Sequence, residues 1–335
     1  VMPELFTHTP AAFVQDYCMI QMQNIGRGRK VPVIVGYRKA DIERFRFKIE
    51  PYYLGRPKHE VAKELPPLTT KIVYVGMTPF QHNRYNEALA GLLTVGASMP
   101  NGMEEKEVTK LTAVTYCQEI VNHPSLIGYP EEESEKLNEL VEMLAEGGEL
   151  HGKKVIVFTR FEKMVTLGVA ALAKAKVPSV RITGAEKDTK TLGDQRKISQ
   201  DTFQDPNSGV QTVWITMAGS DAINLQAAEV IIFYDTPFSA GDMLQIIGRM
   251  IRIGSIHQAV LAIHMVVEKT IDERVVEVVG KKMKLIEAVI GKRLKGDTDE
   301  LDQSDIDAGK GDVVELFEAL KRDAQSGRDT GILHV

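Results

Sequence analysis

The sequence predicts an α/β fold, a doubly wound parallel sheet flanked by helices, with an additional N-terminal helical region. Three observations carry this. Between Gly152 and Val267, short β-branched runs alternate with segments of helical length. Those runs are near-continuously apolar, as strands buried on both faces of a parallel sheet must be. Before Gly152 the apolar residues recur mostly at helical spacing.

In chain order, residues 3–24 and 40–49 read as helices. Pro66-Pro67 interrupts the chain and marks a boundary, and Lys71–Gly76 reads as a strand. Pro79–Leu92, Glu104–Val121 and Glu132–Glu146 read as helices. The last carries Leu137, Leu140, Val141 and Leu144 as an apolar stripe at i, i+3, i+4, i+7. The sheet strands are expected at Lys154–Phe158, Ser179–Thr183, Thr212–Thr216, Val230–Tyr234 and Val260–Val266. Phe161–Ala175, Gly193–Phe203 and Ser239–Met250 have the length of crossover helices. Thr270–Ile290 is expected as a long helix whose Asp272 and Glu273 suit the positive end of the helix dipole. Gly296–Gly311 is Asp-rich with little apolar content and reads as a linker, and Asp312–Arg322 as a last short helix.

Composition bounds the function. The chain has 335 residues, is 43% hydrophobic and 26% charged, and has a net charge of −5. That is globular composition, which excludes disordered, collagenous and disulfide-scaffold classes. The length fits about two domains at roughly 100–200 residues each. Cys18 and Cys117 stand far apart and read as reduced intracellular thiols. No apolar run approaches the roughly 18 residues of a membrane span, and nothing at the start resembles a signal peptide. The first residue is Val1, so the chain reads as a piece of a longer protein. With 41 basic against 46 acidic residues, no global charge argues for nucleic acid, and any such site must be local.

An α/β sheet of this kind directs attention to phosphate loops. Gly147-Gly148-Glu149-Leu150-His151-Gly152-Lys153 fits G-x-x-x-x-G-K, but Lys154 stands where a magnesium-binding hydroxyl belongs. A phosphate loop follows a strand and opens a helix. This one follows a helix and precedes a strand, so it reads as a helix end and turn. His123 reads as a hydrogen-bonding residue at a helix end, since no other metal-type residue stands at useful spacing; no metal site is expected.

Gln245-Ile246-Ile247-Gly248-Arg249-Met250-Ile251-Arg252-Ile253-Gly254 sets Arg249 and Arg252 three apart, on one face if the segment is helical. Two guanidiniums projecting together suit phosphoryl oxygens, because each offers a planar fork of donors. Alone, such a pair is more often a solvated basic face with salt bridges. Thr216-Met217-Ala218-Gly219-Ser220-Asp221-Ala222-Ile223-Asn224-Leu225 supplies the context, a small-residue turn after a strand.

These residues resemble the Swi/Snf-type ATPases of helicase superfamily two, specifically their second RecA-like lobe. Lys154 to Phe161 is similar to motif IV, Ala218 to Leu225 with Gln226-Ala227-Ala228 to motif V, and Gln245 to Gly254 to motif VI. Leu65-Pro66-Pro67 with its following strand, and Tyr116–Pro124 ending in Asn122-His123-Pro124, are similar to the stretch joining the two lobes. Lys269 to Arg274 resembles the helix that braces them. The resemblance covers most of the chain. It implies three regions: residues 1–70 as the end of a first motor lobe with a helical protrusion, 71–292 as the second lobe with a helical insert at about 78–130, and 293–335 as an acidic linker and helix.

The resemblance also implies roles. Arg249 and Arg252 would be arginine fingers on ATP held, with Mg²⁺, mainly by the first lobe. Gln245, Gly248, Asn224 and Gly219 would help form the nucleotide interface. Thr159, Arg160 and Thr216 would face the backbone of double-stranded DNA, although Thr159 and Thr216 could instead simply cap the turns after their strands. Ser220, Asp221 and Ala222 depart from the glycine-rich form of motif V, and Gly55-Arg56-Pro57-Lys58 lacks one arginine. No phosphate loop or D-E-x-H occurs in the sequence, so the chain alone is expected to be inactive. The implied function is half of an ATP-dependent DNA translocase. The alternatives are a lobe acting on RNA or single strands, or a non-catalytic binding module. The compact insert suggests the cytoplasm of a bacterial or phage-infected cell, or the nucleus if the source is eukaryotic.

Overall fold

A computed structural model describes residues 9–24, 30–36, 39–52, 65–95, 104–107, 110–184, 194–219, 223–252 and 255–286. The expected linker at Gly296–Gly311 and helix at Asp312–Arg322 lie outside these, as do Gly55–Lys58, Ser220–Ala222 and Ile253-Gly254. The chain divides into two compact units, Val1–Lys63 with Glu277–Asp312 and Glu64–Val276 with Val313–Val335.

In the first unit, α1 (Pro10–Tyr17) opens at Thr9, whose hydroxyl accepts from the Ala12 amide at 3.4 Å. The helix expected to continue to residue 24 ends at Cys18, which adopts extended backbone. The chain continues as β1 (Met19–Asn24), antiparallel to β2 (Lys30–Gly36). The β-branched run of Val31, Val33, Ile34 and Val35 favours the hairpin over further helix. α2 (Lys39–Ile49) follows with a short 3₁₀ turn, Glu50–Tyr52. Phe45 meets Phe13 and Tyr17 at ring separations of 5.8 and 5.5 Å, and the Arg44 guanidinium lies 4.8 Å from the Tyr17 ring centre.

The second unit opens with β3 (Leu68–Val75) and α3 (Pro79–Ala90). A capping box between Thr78 and Gln81 starts the helix, and Gly91 ends it in the left-handed region at φ 93°. β4 (Leu92–Val95) then pairs with β5 (Glu104–Glu107), so the helix expected from Glu104 begins instead at Lys110, as α4 (Lys110–Asn122). α5 (Glu135–Leu144) follows. The remaining elements alternate: β6 (Val155–Phe158), α6 (Glu162–Lys174), β7 (Ser179–Ile182), α7 (Gln195–Gln204), β8 (Thr212–Ile215), β9 (Val230–Phe233), α8 (Ala240–Met250), β10 (Val260–Val267) and α9 (Ile271–Ile286).

Six strands form one parallel sheet in the order β3-β10-β9-β6-β8-β7. The α/β expectation is met, and the strand read at Lys71–Gly76 proves to be the sheet's edge, paired along its length with β10. All residues of β6, β8 and β9 are buried. The edge strands differ, since β7 buries only Ile182 and the most exposed strand is β3. Its Val73 and Val75 pack on the core, while Leu68, Ile72 and Tyr74 remain 38%, 40% and 52% exposed.

Close packing fixes particular residues. A Cβ on Gly168 in α6 would lie 2.1 Å from the ring of Trp214, which is fully buried in β8. Leu137, Leu140 and Leu144 of α5 join the same core. The Gly-Lys segment after α5 is a turn, as its position before a strand requires. Gly147 and Gly152 have φ of +89° and +77°, and the Leu150 amide donates back to the Met143 carbonyl at 2.9 Å.

Two buried histidines are held neutral. His123 Nδ1 accepts from the Ser125 amide at 3.1 Å, opening the 3₁₀ turn Pro124–Ile127 as expected of a helix-end residue. His264 pairs with the Thr236 hydroxyl at 2.9 Å and stacks on Phe233 at 4.8 Å. Burial lowers both to about 4. Glu119, which burial pushes up to about 7, has the opposite sign: the folded chain keeps its proton longer, so ionising it costs stability as pH rises.

Gly168→Ala should cost about 1–3 kcal/mol in urea denaturation, since the rigid indole outweighs the better helix propensity of alanine. The unfolded His264 gains its proton near 6.5 and the folded one only near 4, so its stabilisation is present above 6.5 and is lost as pH falls toward 4. Denaturation of His264→Asn should therefore show a cost about 2 kcal/mol larger at pH 7 than at pH 4.5.

Candidate functional site

From β6 the chain goes to β7 at the sheet's edge and returns through β8, which lies between the two, then crosses to β9 and β10 on the other side of β6. The strand order therefore reverses beside β6, and the carboxyl ends of β6 and β9 face the crevice where such sheets bind ligands. Thr159 and Arg160 follow β6 there, and Asp235 follows β9.

Asp235 organises this point. It is fully buried, its Oδ2 accepts the Thr159 hydroxyl at 2.5 Å, and its Oδ1 accepts the Arg160 backbone amide at 3.0 Å. Burial raises the carboxyl's pKa; the Thr159 hydrogen bond, Lys136, the Arg160 amide and the Arg160 charge oppose that shift. The Thr159 hydroxyl also accepts from the Phe161 amide at 3.2 Å, so this side chain caps its turn from a wholly buried position. Arg160 is exposed, yet held: its guanidinium donates to Gln118 Oε1 and lies 4.3 Å from the Phe238 ring centre. Of the residues expected to face nucleic acid, Arg160 is the one whose side chain reaches solvent. Thr216 is 6% exposed, and its hydroxyl has no hydrogen-bond partner among the described residues.

Behind Asp235 the polar chain continues inward. Asn122 Nδ2 donates to Asp235 Oδ2 at 3.1 Å, and its carbonyl accepts from the hydroxyls of Ser134 and Tyr234 at 2.7 and 2.8 Å. Lys136, with no exposed surface, donates to Asn122 Oδ1 at 3.3 Å and pairs with Asp272 Oδ2 at 2.5 Å. Asp272 lies in the first turn of α9 and also accepts from the Val267 amide at 3.4 Å. The carboxylate expected to serve the helix dipole thus also closes a buried ion pair. Glu273 keeps the simpler capping role, accepting from the Lys269 amide at 2.8 Å.

The segments resembling motifs V and VI meet through the backbone, the Leu225 amide donating to the Arg249 carbonyl at 3.0 Å. α7 steadies the same loop from another side. Gln200 and Gln204, one helical turn apart, accept from the amides of Asn224 and Ala227 at 3.1 and 2.9 Å. His257 Nε2 bonds the Ala227 carbonyl at 2.8 Å. Gly219 is buried, and a Cβ there would stand 2.0 Å from the Ile182 carbonyl oxygen, so close backbone approach to the end of β7 accounts for this glycine without any ligand.

Helix α8 begins at Ser239, whose hydroxyl accepts from the Asp242 amide, and buries Met243, Ile246, Ile247 and Met250. Its exposed side carries Gln245, while Gly248, Arg249 and Arg252 are half-buried. The expectation that Arg249 and Arg252 share one helical face needs correction. The helix ends at Met250, Ile251 is extended, and Arg252 lies beyond it. Arg252 Nε instead folds back to the Gly248 carbonyl at 3.3 Å, satisfying one of the acceptors that a helix end leaves unpaired. Among the described residues no cluster of His, Cys, Asp and Glu could hold a metal ion, and no helix is long and apolar enough to cross a membrane.

Residues that sequence reasoning left without a role include Lys136, Asp235, Gln200 and Gln204. Lys136 had a signal, standing four residues before Leu140 on the buried face of α5. Asp235 directly follows an apolar strand, a position from which a carboxylate is not easily solvated. The glutamines had none beyond their spacing.

Residues 135–254 match the helicase conserved C-terminal domain. The chain is similar to the CHD3-type chromatin-remodeling factor PICKLE of Arabidopsis thaliana, 26% identical over 89% of this chain and 21% of that protein. It is also similar to the SWI/SNF-related matrix-associated actin-dependent regulator of chromatin subfamily A member 1 of Mus musculus, 28% identical over 74% of this chain and 24% of that protein. Among solved structures, the C-terminal part of the Fun30 ATPase domain shares the fold at a TM-score of 0.54 and 14% identity, covering 78% of this chain and 98% of that one. The chain spans about a quarter or less of the length of these curated relatives.

A methyl group at Gly219 cannot escape a backbone carbonyl by changing rotamer. Gly219→Ala should therefore cost about 2 kcal/mol or more in urea denaturation, against a few tenths for Ala218→Ser on the exposed side of the same turn.

Proposed function

Because the chain carries the C-terminal, RecA-like lobe of Swi/Snf-type ATPases, we propose that it forms half of the motor of an ATP-dependent double-stranded-DNA translocase of the chromatin-remodelling kind. The observation that supports this best is the bond from the Leu225 amide to the Arg249 carbonyl. It joins the loop after β8 to the end of the arginine-bearing helix, so a movement of either is felt by the other.

In this reading ATP lies between this lobe and a first lobe supplied by the intact protein. Arg249 and Arg252 contribute guanidiniums to the phosphates, where charge spreads over the equatorial oxygens as the terminal phosphoryl group transfers. The hold of Gly248 on Arg252 Nε limits the side chain's freedom before ATP arrives, lowering the ordering cost at the moment of reaction. Gln245, exposed on α8, and Asn224, in the loop that Gln200 steadies, border the same interface. Magnesium would accompany ATP and neutralise charge at the phosphates, with its protein ligands supplied mainly by the first lobe.

Arg160 meets a DNA phosphate, and Thr159 sets its turn. The unpartnered Thr216 hydroxyl joins the contact when the Met217–Gly219 turn opens. Contacts of this kind read the backbone, so binding is largely independent of sequence and steeply dependent on salt. The plant and animal sources of the relatives favour a nuclear setting over the bacterial or phage one.

Residues 1–335 alone should show no DNA-stimulated ATP hydrolysis in a phosphate-release assay, and measurable turnover would refute the division of labour between lobes. In the intact protein, Arg252→Ala should lower turnover about 10³-fold or more with ATP binding largely retained. An unchanged rate would remove Arg252 from the phosphates.

A further inference from the structure

The interior polar chain reaches from one functional element to another. At one end Asp235 holds both the Thr159 hydroxyl and the Arg160 amide. At the other Asp272 sits in the first turn of α9, which runs on from the sheet-bearing unit into residues grouped with the first unit from Glu277. Asn122 and Lys136 lie between, with contacts of 3.1, 3.3 and 2.5 Å linking all four side chains. None is more than 4% exposed.

Charge makes this chain more than packing. Asp235 and Asp272 are two buried acids, and Lys136 is one buried cation. Arg160 supplies the second positive charge, its guanidinium acting on Asp235 from the solvent side. The balance of the interior therefore involves the same side chain that reaches outward. Nor is the geometry loose. Lys136 Nζ shares its hydrogens between Asn122 and Asp272, so losing the second partner lets the ammonium shift toward Asn122 and Asp235. Asp235 then has to redistribute its oxygens among Asn122, Thr159 and the Arg160 amide.

We infer that Asp272, Lys136, Asn122 and Asp235 form a positioning relay, through which the seating of the first turn of α9 sets the Thr159-Arg160 turn and with it the aim of Arg160. The relay rests on the proposed function only in taking a DNA phosphate as the target of Arg160. The link between α9 and the turn stands on the hydrogen bonds alone. None of the four residues touches DNA or ATP; they act through the turn.

The relay is tested by amide hydrogen exchange of the intact protein carrying Asp272→Asn, a near-isosteric change that removes the charge and keeps an acceptor for the Val267 amide. Exchange at Arg160 and Phe161 should quicken at least about tenfold, while Val157 and Val213 in the central strands keep wild-type protection. An unchanged rate at Arg160 and Phe161, or a rise of equal factor at all four, overturns the relay. Should Asp272→Asn fail to fold, Lys136→Met combined with Asp272→Asn leaves no buried cation uncompensated and is read in the same way. Duplex binding, followed by anisotropy of a labelled DNA across a salt series, supplies the second readout. Asp272→Asn and Arg160→Ala should each weaken binding about five- to tenfold, and together no more than either alone. If Arg160→Ala leaves binding unchanged, the DNA reading of the turn fails while the exchange result still decides the relay. If Arg160→Ala weakens binding but Asp272→Asn does not, the relay fails and the DNA reading stands.

Discussion

An ammonium ion with no contact to water is the constraint around which the sheet-bearing unit is arranged. Removing Lys136 from solvent costs several kcal/mol before any partner is counted. That cost is offset only if an opposite charge and further acceptors meet it in good geometry, and Asp272 and Asn122 do so from two different elements. Their positions follow from that need. Asn122 must end α4, Asp272 must open α9, and Ser134 must cap α5 so that Lys136 points inward. A pair of this kind adds little net stability over a well-packed apolar alternative, but breaking one partner away costs about 3–5 kcal/mol. It therefore selects one arrangement of three helix ends more than it strengthens that arrangement.

Around this centre the site divides into a rigid part and an adjustable part. The turn after β6 is fixed by Asp235 and by the aromatic seat of Arg160 on Phe238. The loop after β8 is anchored where the structure describes it, by two glutamines of α7, by His257 and by the carbonyl of Arg249. Arg252 lies outside the helix, restrained through one nitrogen while the rest of its fork remains available. Under the proposed function, this distribution would lock the groups that meet the DNA backbone and leave the arginine that reaches toward ATP guided but not committed.

Much of the fold was legible because parallel strands advertise themselves. Val155–Phe158, Thr212–Ile215 and Val230–Phe233 are apolar at nearly every position, and each is buried throughout. The N-terminal hairpin was not, since Met19–Asn24 carries no β-branched residue except Ile20 and its pairing with Lys30–Gly36 is a tertiary choice. Glu104–Glu107 was missed for a similar reason: four charged residues in a row are strand only because Leu92–Val95 lies beside them. In the site, motif spacing located the loops and the arginines, but it could not show that α8 stops between Arg249 and Arg252, because that end depends on where the following chain must go. The polar interior went unread, its one local signal being a lysine four residues before Leu140 on the buried face of α5. That lysine's partners lie 14 and 136 positions away in sequence, beyond the reach of any local pattern.

The edge strand has a consequence during synthesis. β3 is the first strand of the large sheet to leave the ribosome, yet its partner β10 is not made until residues 260–267, and the register sets Leu68 beside Val260. At about 5–20 residues per second the strand waits roughly 10–40 s for that partner. Leu68, Ile72 and Tyr74, still partly exposed when folding is complete, stand in the open throughout. The nascent chain therefore holds this segment unpaired for that interval, whose length is set by the distance in sequence between β3 and β10.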